Sequence, residues 1–428
     1  MFITRVTVGL AVLGVLVGVL TGDAGAVAGF HAFLALLVGI DALLAVSTKT
    51  IAVSREANTT VRSGQRLDIT LTLTNMGRRR ARGIIRDAWP PSTGLEPTRH
   101  PFNIPSGERR VVRAAAIPTR RGTRYSEAVT IRTFGPLQLA GRQRSYPTEW
   151  MLRVLPEFSA RKHLPSRIMR LRELDGRSLL LVRGQGTEFD SLREYVAGDD
   201  VRAIDWRSTA RLGNTVVRTW RPERDRHVII VLDSGRSGAL RVDDSPAFDA
   251  YIESALLLST LAIRAGDRVS VVALDAEVRA RISGDNSTFM HRLAQALADV
   301  EPQLVATNWV TISREVERLT KTPALVVVLS AVGTGTIESG MLDVIPSLTR
   351  THRVLVGTAV GNADDDLSAP GTVEHAFESA ALARSEVETR AIIREVERSG
   401  AIVVHTGAQD LPPKIADTYI ELKARGKL

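Results

Sequence analysis

Two apolar stretches near the N-terminus, Phe2 to Leu20 and Gly25 to Val46, restrict what this chain can fold into more than any other feature. Each approaches the length an α-helix needs to cross a bilayer, and only "TGDAG" separates them. The pattern predicts a transmembrane hairpin within residues 1–50, with helices at about 2–20 and 25–46. Arg5 stands near the start of the first stretch, Lys49 and Arg55 follow the second, and the turn between them carries only Asp23. The positive-inside rule then puts the N-terminus and everything after residue 50 in the cytoplasm, as expected of a multi-pass cell-membrane protein. If the first stretch is instead a signal peptide cleaved at "AGA" (Ala24–Ala26), the second still leaves the remainder inside. Asp41 lies in the second stretch. So near a helix end, it is expected to reach the interface or a neighbouring helix rather than serve as an intramembrane functional carboxylate.

The 428 residues are enough for two or three domains, each with its own core. The chain has no Cys, which excludes disulfides, thiolate metal sites and a Cys nucleophile. Its formal charge of +9 comes mostly from Arg, since Lys occurs only at Lys49, Lys162, Lys321, Lys414, Lys423 and Lys427. The excess is spread along the chain with acids between, so no nucleic-acid partner is expected.

Residues 52–155 change to a period of two. In "LDITLTLTN", Leu67, Ile69, Leu71 and Leu73 alternate with Asp68, Thr70, Thr72 and Thr74, as in a half-buried strand. "GIIRDAW", "RRVVRAAAI", "EAVTIRTF" and "WMLRVLP" follow between Gly, Pro and Asn turn clusters, predicting a small β-sandwich of immunoglobulin type. Nothing in it suggests catalysis. Arg78 to Arg80 and Arg109 to Arg110 read as solvated turns, with anionic headgroups as the sharper alternative. Residues 156–225 form a linker and a charged segment. Leu164, Ile168, Leu171 and Leu174 stand at helical spacing, interleaved with Arg167, Arg170 and Arg172, as in an amphipathic helix packed between domains.

From 226 to 428 strands and helices alternate: "HVIIVLD", "RVSVVALD", "VRARI", "ALVVVLSA", "HRVLVGTAV" and "AIVVHTG" are strand-like, with helical stretches such as "FDAYIESALLLSTLAIRAG" between them. Apolar runs without alternation suit strands covered on both faces, so the expected fold is α/β, a doubly wound, mostly parallel sheet. In such sheets ligands bind beyond the carboxyl ends of the strands. Asp233 stands at one such end, before "SGRSG". Asp-x-Ser-x-Ser there resembles the metal-adhesion site of von Willebrand factor A domains, in which hydroxyls and carboxylates supply the hard oxygen ligands of Mg²⁺. Asp233, Ser237 and Thr307 match it. Gly235 replaces the first Ser, and Ala331 stands at or near the place of a later acid, so the predicted site is degenerate and Mg²⁺ is its only candidate cofactor. The alternative is that Asp233 caps the following turn.

The stretch "EFDSLREYVAGDDVRAIDWRSTARLGNTVVRTWRPERDRH" precedes that strand. Phe189, Leu192 and Tyr195 suit one helical face, "AGDD" breaks it, and Ile204 and Trp206 are expected apolar anchors. Arg193, Arg202, Arg207 and Arg211 alternate with Glu194, Asp199, Asp200 and Asp205, a pattern that favours mutual pairing over a bare basic surface. Catalysis has little support: Ser208 and Thr209 have no His nearby in sequence, His227 reads as structural, and "GQG" at Gly184 to Gly186 is too short for a phosphate loop.

Taken with "VIIVLDSGRS", "TRRGTRY", "TFGPLQLAGR" and "LPPKIADTYIELKARG", this stretch resembles the domain-of-unknown-function family numbered 58 along nearly the whole chain. The resemblance implies a membrane-anchored protein with a von Willebrand factor A-like domain that works beside a MoxR-type AAA+ ATPase. Such a protein is a non-enzymatic, chaperone-like adaptor in the maturation or assembly of client proteins. It also marks Glu188, Arg193, Asp199, Arg202, Asp205, Trp206 and Arg211 as the functional or fold-defining set, to which the charge pattern adds Asp200 and Arg207. Two alternatives stay open. A divalent-metal hydrolase would use Glu188, Asp199, Asp205 and Asp233, and a purely structural membrane protein would use the charged segment to lock domains together.

Overall fold

The computed structural model describes residues 1–147, 150–181, 188–221, 226–286, 288–361 and 373–426. They form two compact units, Met1–Glu157 and Phe158–Leu428. "GQG" lies outside the described residues.

The first unit opens with β1 (Phe2–Ile3), α1 (Arg5–Thr21) and α2 (Ala24–Leu44). Asp23 starts α2 by accepting hydrogen bonds from the amides of Gly25 and Ala26. Among the described residues, Ala24–Thr50 is the one helical segment long and apolar enough to cross a membrane by length and composition; Arg5–Thr21, at 17 residues, is shorter. The first apolar stretch is shortened because Phe2 and Ile3 leave it to pair with Gly141 and Ala140. The helices pack at a small-residue seam. A Cβ on Gly14 would lie 2.4 Å from Phe30, and one on Gly18 1.8 Å from Val27.

A β-sandwich-like region follows: β2 (Ile51–Glu56), β3 (Thr60–Arg62), β4 (Leu67–Asn75), β5 (Ala81–Ala88), β6 (Leu95–Glu96), β7 (Arg99–Ile104), β8 (Arg109–Ala116), β9 (Gly122–Tyr125), β10 (Ala128–Phe134), β11 (Ala140–Pro147) and β12 (Met151–Leu155). The sheet orders are β1-β11-β10-β5-β7, β2-β4-β8-β6 and β3-β12-β9. The alternation in β4 does what its period requires: Leu71 and Leu73 pack with Ile85, Phe102 and Ile131, and Leu67 and Ile69 with Leu95 and Leu152. Arg55 does not flank a membrane span as a surface charge. It is buried, ion-paired with Asp87, with the Trp89 and Trp150 rings 5.3 and 5.2 Å from its guanidinium carbon.

In the second unit, α3 (Leu164–Leu181) is the expected amphipathic helix, with Leu171 buried and Arg167 donating to Asp417. Strands β13 (Glu188–Glu194) and β14 (Val216–Arg221) form an antiparallel ribbon, with the short helix α4 (Trp206–Leu212) between them. Then come β15 (His227–Asp233), a small ribbon of β16 (Arg241–Val242) and β17 (Ser245–Pro246), α5 (Ala247–Arg264), β18 (Arg268–Leu274) and β19 (Val278–Gly284). The rest is α6 (Phe289–Ala298), α7 (Trp309–Leu319), β20 (Leu325–Leu329), α8 (Thr334–Glu338), α9 (Met341–Thr349), β21 (Arg353–Val360), α10 (Val373–Arg398), β22 (Ile402–Gly407) and α11 (Leu411–Ala424). The six strands of the main sheet lie in the order β19-β18-β15-β20-β21-β22, all parallel except the edge strand β19. Ile229, Val231, Val326 and Val328 pack under α7, α9 and α10. The alternate residues Val228, Ile230 and Leu232 face the side covered by α5 and α11. Apolar cover on both faces is why these strands show no alternation in sequence.

Candidate functional site

Parallel register brings the chemistry of the sheet to its carboxyl edge. Leu232 of β15 pairs with Leu329 of β20, so Asp233 and Ser330 leave adjacent strands side by side. Asp233 is fully buried. Its Oδ1 accepts from the Gly235 amide at 2.8 Å and from Thr307 Oγ1 at 2.5 Å. Its Oδ2 accepts from Ser330 Oγ at 2.5 Å and from Ser237 Oγ. Burial, and after it the Asp233 charge, push the Tyr251 phenol up from its ordinary value.

The predicted set Asp233, Ser237 and Thr307 thus converges, but as a closed hydrogen-bond cluster. A carboxylate has about four lone-pair positions, and four donors fill them here. The place of the missing serine is also filled, since a Cβ on Gly235 would lie 2.3 Å from Thr307 Oγ1 and 2.9 Å from the Val305 carbonyl. The cluster offers one carboxylate and three neutral hydroxyls, one acid fewer than the metal-adhesion pattern it resembles, and every carboxylate oxygen here is taken by protein donors. Among the described residues no three His, Cys, Asp or Glu side chains gather as metal ligands.

Beside the cluster, Asp275 follows β18 and accepts from Ser234 Oγ at 3.2 Å, the Glu277 amide at 3.1 Å and Arg279 Nε at 2.7 Å. Burial opposes its ionisation, but these hydrogen bonds outweigh burial and hold the carboxyl below the usual range. The rim is apolar: Leu240, Val305 and Val310 are exposed, Leu304 is 81% exposed, and Arg236 stands among them as an exposed cation.

The charged segment departs from its sequence reading in two ways. Phe189 to Glu194 form a strand rather than a helix, because β14 supplies a distant hydrogen-bonding partner that local periodicity cannot reveal. Ile204 is half-buried and bridges to Val217, whereas Trp206, expected as an anchor, is 68% exposed. The described acids are engaged inside the segment. Asp199 takes Arg193 and the Val196 amide, and Asp200 accepts from the Arg202 amide. Glu194 accepts from Asn214. Asp205 caps α4 through the Ser208 amide and accepts from Arg218 Nε at 2.7 Å, and these bonds, Ser208 first, hold its carboxyl below the usual range. The expected mutual pairing therefore reaches Arg193 but not Arg202, Arg207 or Arg211, which are exposed and without an ion pair among the described residues. Glu188 opens β13 opposite Arg221, and its side chain lies outside the described residues. His227 is buried against Ser270 Oγ at 2.9 Å, and Thr209 accepts from the Val216 amide, so both hold structure.

Residues 191–401 match the family described as "Protein of unknown function DUF58". This segment belongs to DUF58. No curated protein matches the chain. Among solved structures, the CARDB domain of the PF1109 protein from Pyrococcus furiosus is similar at 10% identity over 24% of this chain and 87% of that one, with a TM-score of 0.18. A β-glucosidase from Listeria innocua is similar at 10% identity over 24% of this chain and 16% of its own, with a TM-score of 0.16. The PKD domain of an M14-like peptidase from Thermoplasmatales archaeon SCGC AB-540-F20 is similar at 13% identity over 22% and 93%, with a TM-score of 0.14.

Two members of the DUF58 site escape sequence reasoning, Ser330 and Asp275. A signal for both exists. Each stands, like Asp233, at the end of an apolar strand, and parallel neighbours bring such ends to one edge, with Ser330 level with Asp233 and Asp275 one residue beyond it.

Proposed function

We propose that the chain is a membrane-anchored binding module, not an enzyme, and that its DUF58 segment engages an acidic face on a partner protein. The observation that carries this reading is the exposed Trp206 beside Arg202, Arg207 and Arg211, which have no ion pair among the described residues, while Glu194, Asp199, Asp200 and Asp205 of the same segment are bound internally. An exposed aromatic beside arginines is the composition of interface hot spots, and such local cations, rather than the net charge of the segment, select acidic groups on a partner. A MoxR-type AAA+ ATPase is the partner expected from the family resemblance, acting on client proteins in their maturation or assembly.

The strand order of the sheet and its helices on both faces support a von Willebrand factor A-like, doubly wound reading of the second unit. The apolar rim at its carboxyl edge supports a second contact there, held by shape rather than by a bridging metal. The seam at Gly14 and Gly18 supports α1 as a second span against α2, with Arg5 and Lys49 on the cytoplasmic side.

The test is affinity purification of the full chain from native membranes, comparing wild type with a Trp206→Ala, Arg207→Glu double variant, with and without a divalent-ion chelator. An AAA+ ATPase should accompany wild type in both conditions and be lost from the double variant. Its retention by the double variant, or divalent-dependent turnover by the purified protein, would sink the proposal.

A further inference from the structure

The end of the β-sandwich that grips the apolar helices is built of four turns brought together by strand register. Asn75, the last residue of β4, pairs with Ile51 at the start of β2, and Arg109 at the start of β8 pairs with Thr74. Ile104, the last residue of β7, pairs with Ala81, and Thr133, next to the last residue of β10, with Gly83. Residues 47–50, 76–80, 105–108 and 135–139 therefore share one end of the unit. The Met76 amide donates to the Thr50 carbonyl at 2.8 Å and that of Gly107 to Asn75 at 2.9 Å.

The helices enter at this same end. The Asp41 carboxylate accepts from the amides of Leu137, Leu139 and Ala140 at 2.7, 2.8 and 2.8 Å. The Thr4 amide donates to the Leu139 carbonyl at 3.0 Å. Arg142 donates to the carbonyls of Ala42 and Leu43 at the end of α2. The turn at 135–139 is thus clasped by the start of α1 and the end of α2.

What this end exposes is cationic and apolar. Arg5, Lys49, Arg78, Arg79, Arg80 and Arg109 are exposed and have no ion-pair partner among the described residues; Glu108 is the acid within these turns. Met76 is 75% and Leu137 53% exposed, each at the tip of a turn. Six cations around the base of an apolar helix pair, with two apolar side chains between them, match a bilayer surface of negative headgroups.

We infer that this end of the sandwich is a collar that docks on anionic phospholipid headgroups, so that the lipid surface holds the soluble region as well as the helices do. The inference rests on reading the helices as a membrane anchor. It also gives the Arg78–Arg80 turn a role beyond solvation.

The experiment uses the full chain. Flotation with vesicles after alkaline carbonate washing tests the anchor, and a chain that is stripped off overturns the anchor reading and the collar with it. Binding of phosphatidylglycerol and of phosphatidylcholine to the chain in neutral detergent is then compared by native mass spectrometry. Wild type should prefer phosphatidylglycerol. A triple variant, Arg78→Gln, Arg79→Gln, Arg80→Gln, should lose that preference by on the order of 100-fold, since three cations each contribute about fivefold. Arg120→Gln, at the other end of the sandwich, should keep it. An equal preference in wild type and triple variant refutes the collar while leaving the anchor intact. Displacement of the lipid by millimolar inorganic phosphate refutes the lipid assignment in favour of a soluble-anion site.

Discussion

Asp41→Ala tests how firmly the helices hold the sandwich. Asp41 is fully buried and is the acceptor for three backbone amides of one turn, at 2.7–2.8 Å. The Leu139 and Ala140 amides are bonded in buried surroundings, and that of Leu137 in partly buried ones. An orphaned buried N–H costs about 1–3 kcal/mol, and the partly buried one has access to water, so two orphans predict a loss of about 2–6 kcal/mol. At about 1.4 kcal/mol per decade, 3 kcal/mol corresponds to roughly a 100-fold rise in amide exchange of the turn, or more if the opening stays local. Hydrogen exchange of the full chain in nanodiscs, followed by mass spectrometry of a peptide spanning residues 135–141, reads this directly. Asp41→Asn should fall between, because the amide keeps one acceptor oxygen but turns an NH₂ group toward a backbone N–H. Exchange of this turn within a few-fold of wild type in Asp41→Ala would refute the reasoning, showing that strand pairing alone holds the turn.

Two further outcomes follow from the second unit. Gly235→Ser, which restores the hydroxyl of the metal-adhesion pattern, should destabilise by about 1–3 kcal/mol because its Cβ would lie 2.3 Å from Thr307 Oγ1. Thermal unfolding with and without Mg²⁺ checks this, and a Mg²⁺-dependent rise in the variant's midpoint would show that the cluster opens into a cation site. Burial opposes ionisation of Glu315, but Arg281 and Arg318 outweigh it and hold its carboxyl below the usual range. Its contribution to stability is therefore complete above about pH 5, past the unfolded carboxyl's ordinary range, and lost as pH falls through the depressed value. Glu315→Gln should accordingly lower the melting temperature by a few degrees at pH 7, with the gap to wild type closing near pH 3; a gap that persists there would contradict the assignment.

The amino-acid sequence by itself determined the layout of the chain. Periods of two in the sandwich, unbroken apolar strands in the sheet and the two apolar stretches before them arise from short-range spacing, which any one segment carries within itself. Asp233, Ser237 and Thr307 were legible as a group because each lies beside an element whose end the sequence marks. Tertiary structure alone decided the rest, because each remaining feature needs a partner from far along the chain. Ser330 joins Asp233 through strand register, β14 turns a helix-like stretch into a strand, and Asp41 meets a turn almost a hundred residues away. The same holds for charge. Alternating signs indicate that pairs can form, but only geometry leaves Arg202, Arg207 and Arg211 without an ion pair among the described residues, beside an exposed Trp206.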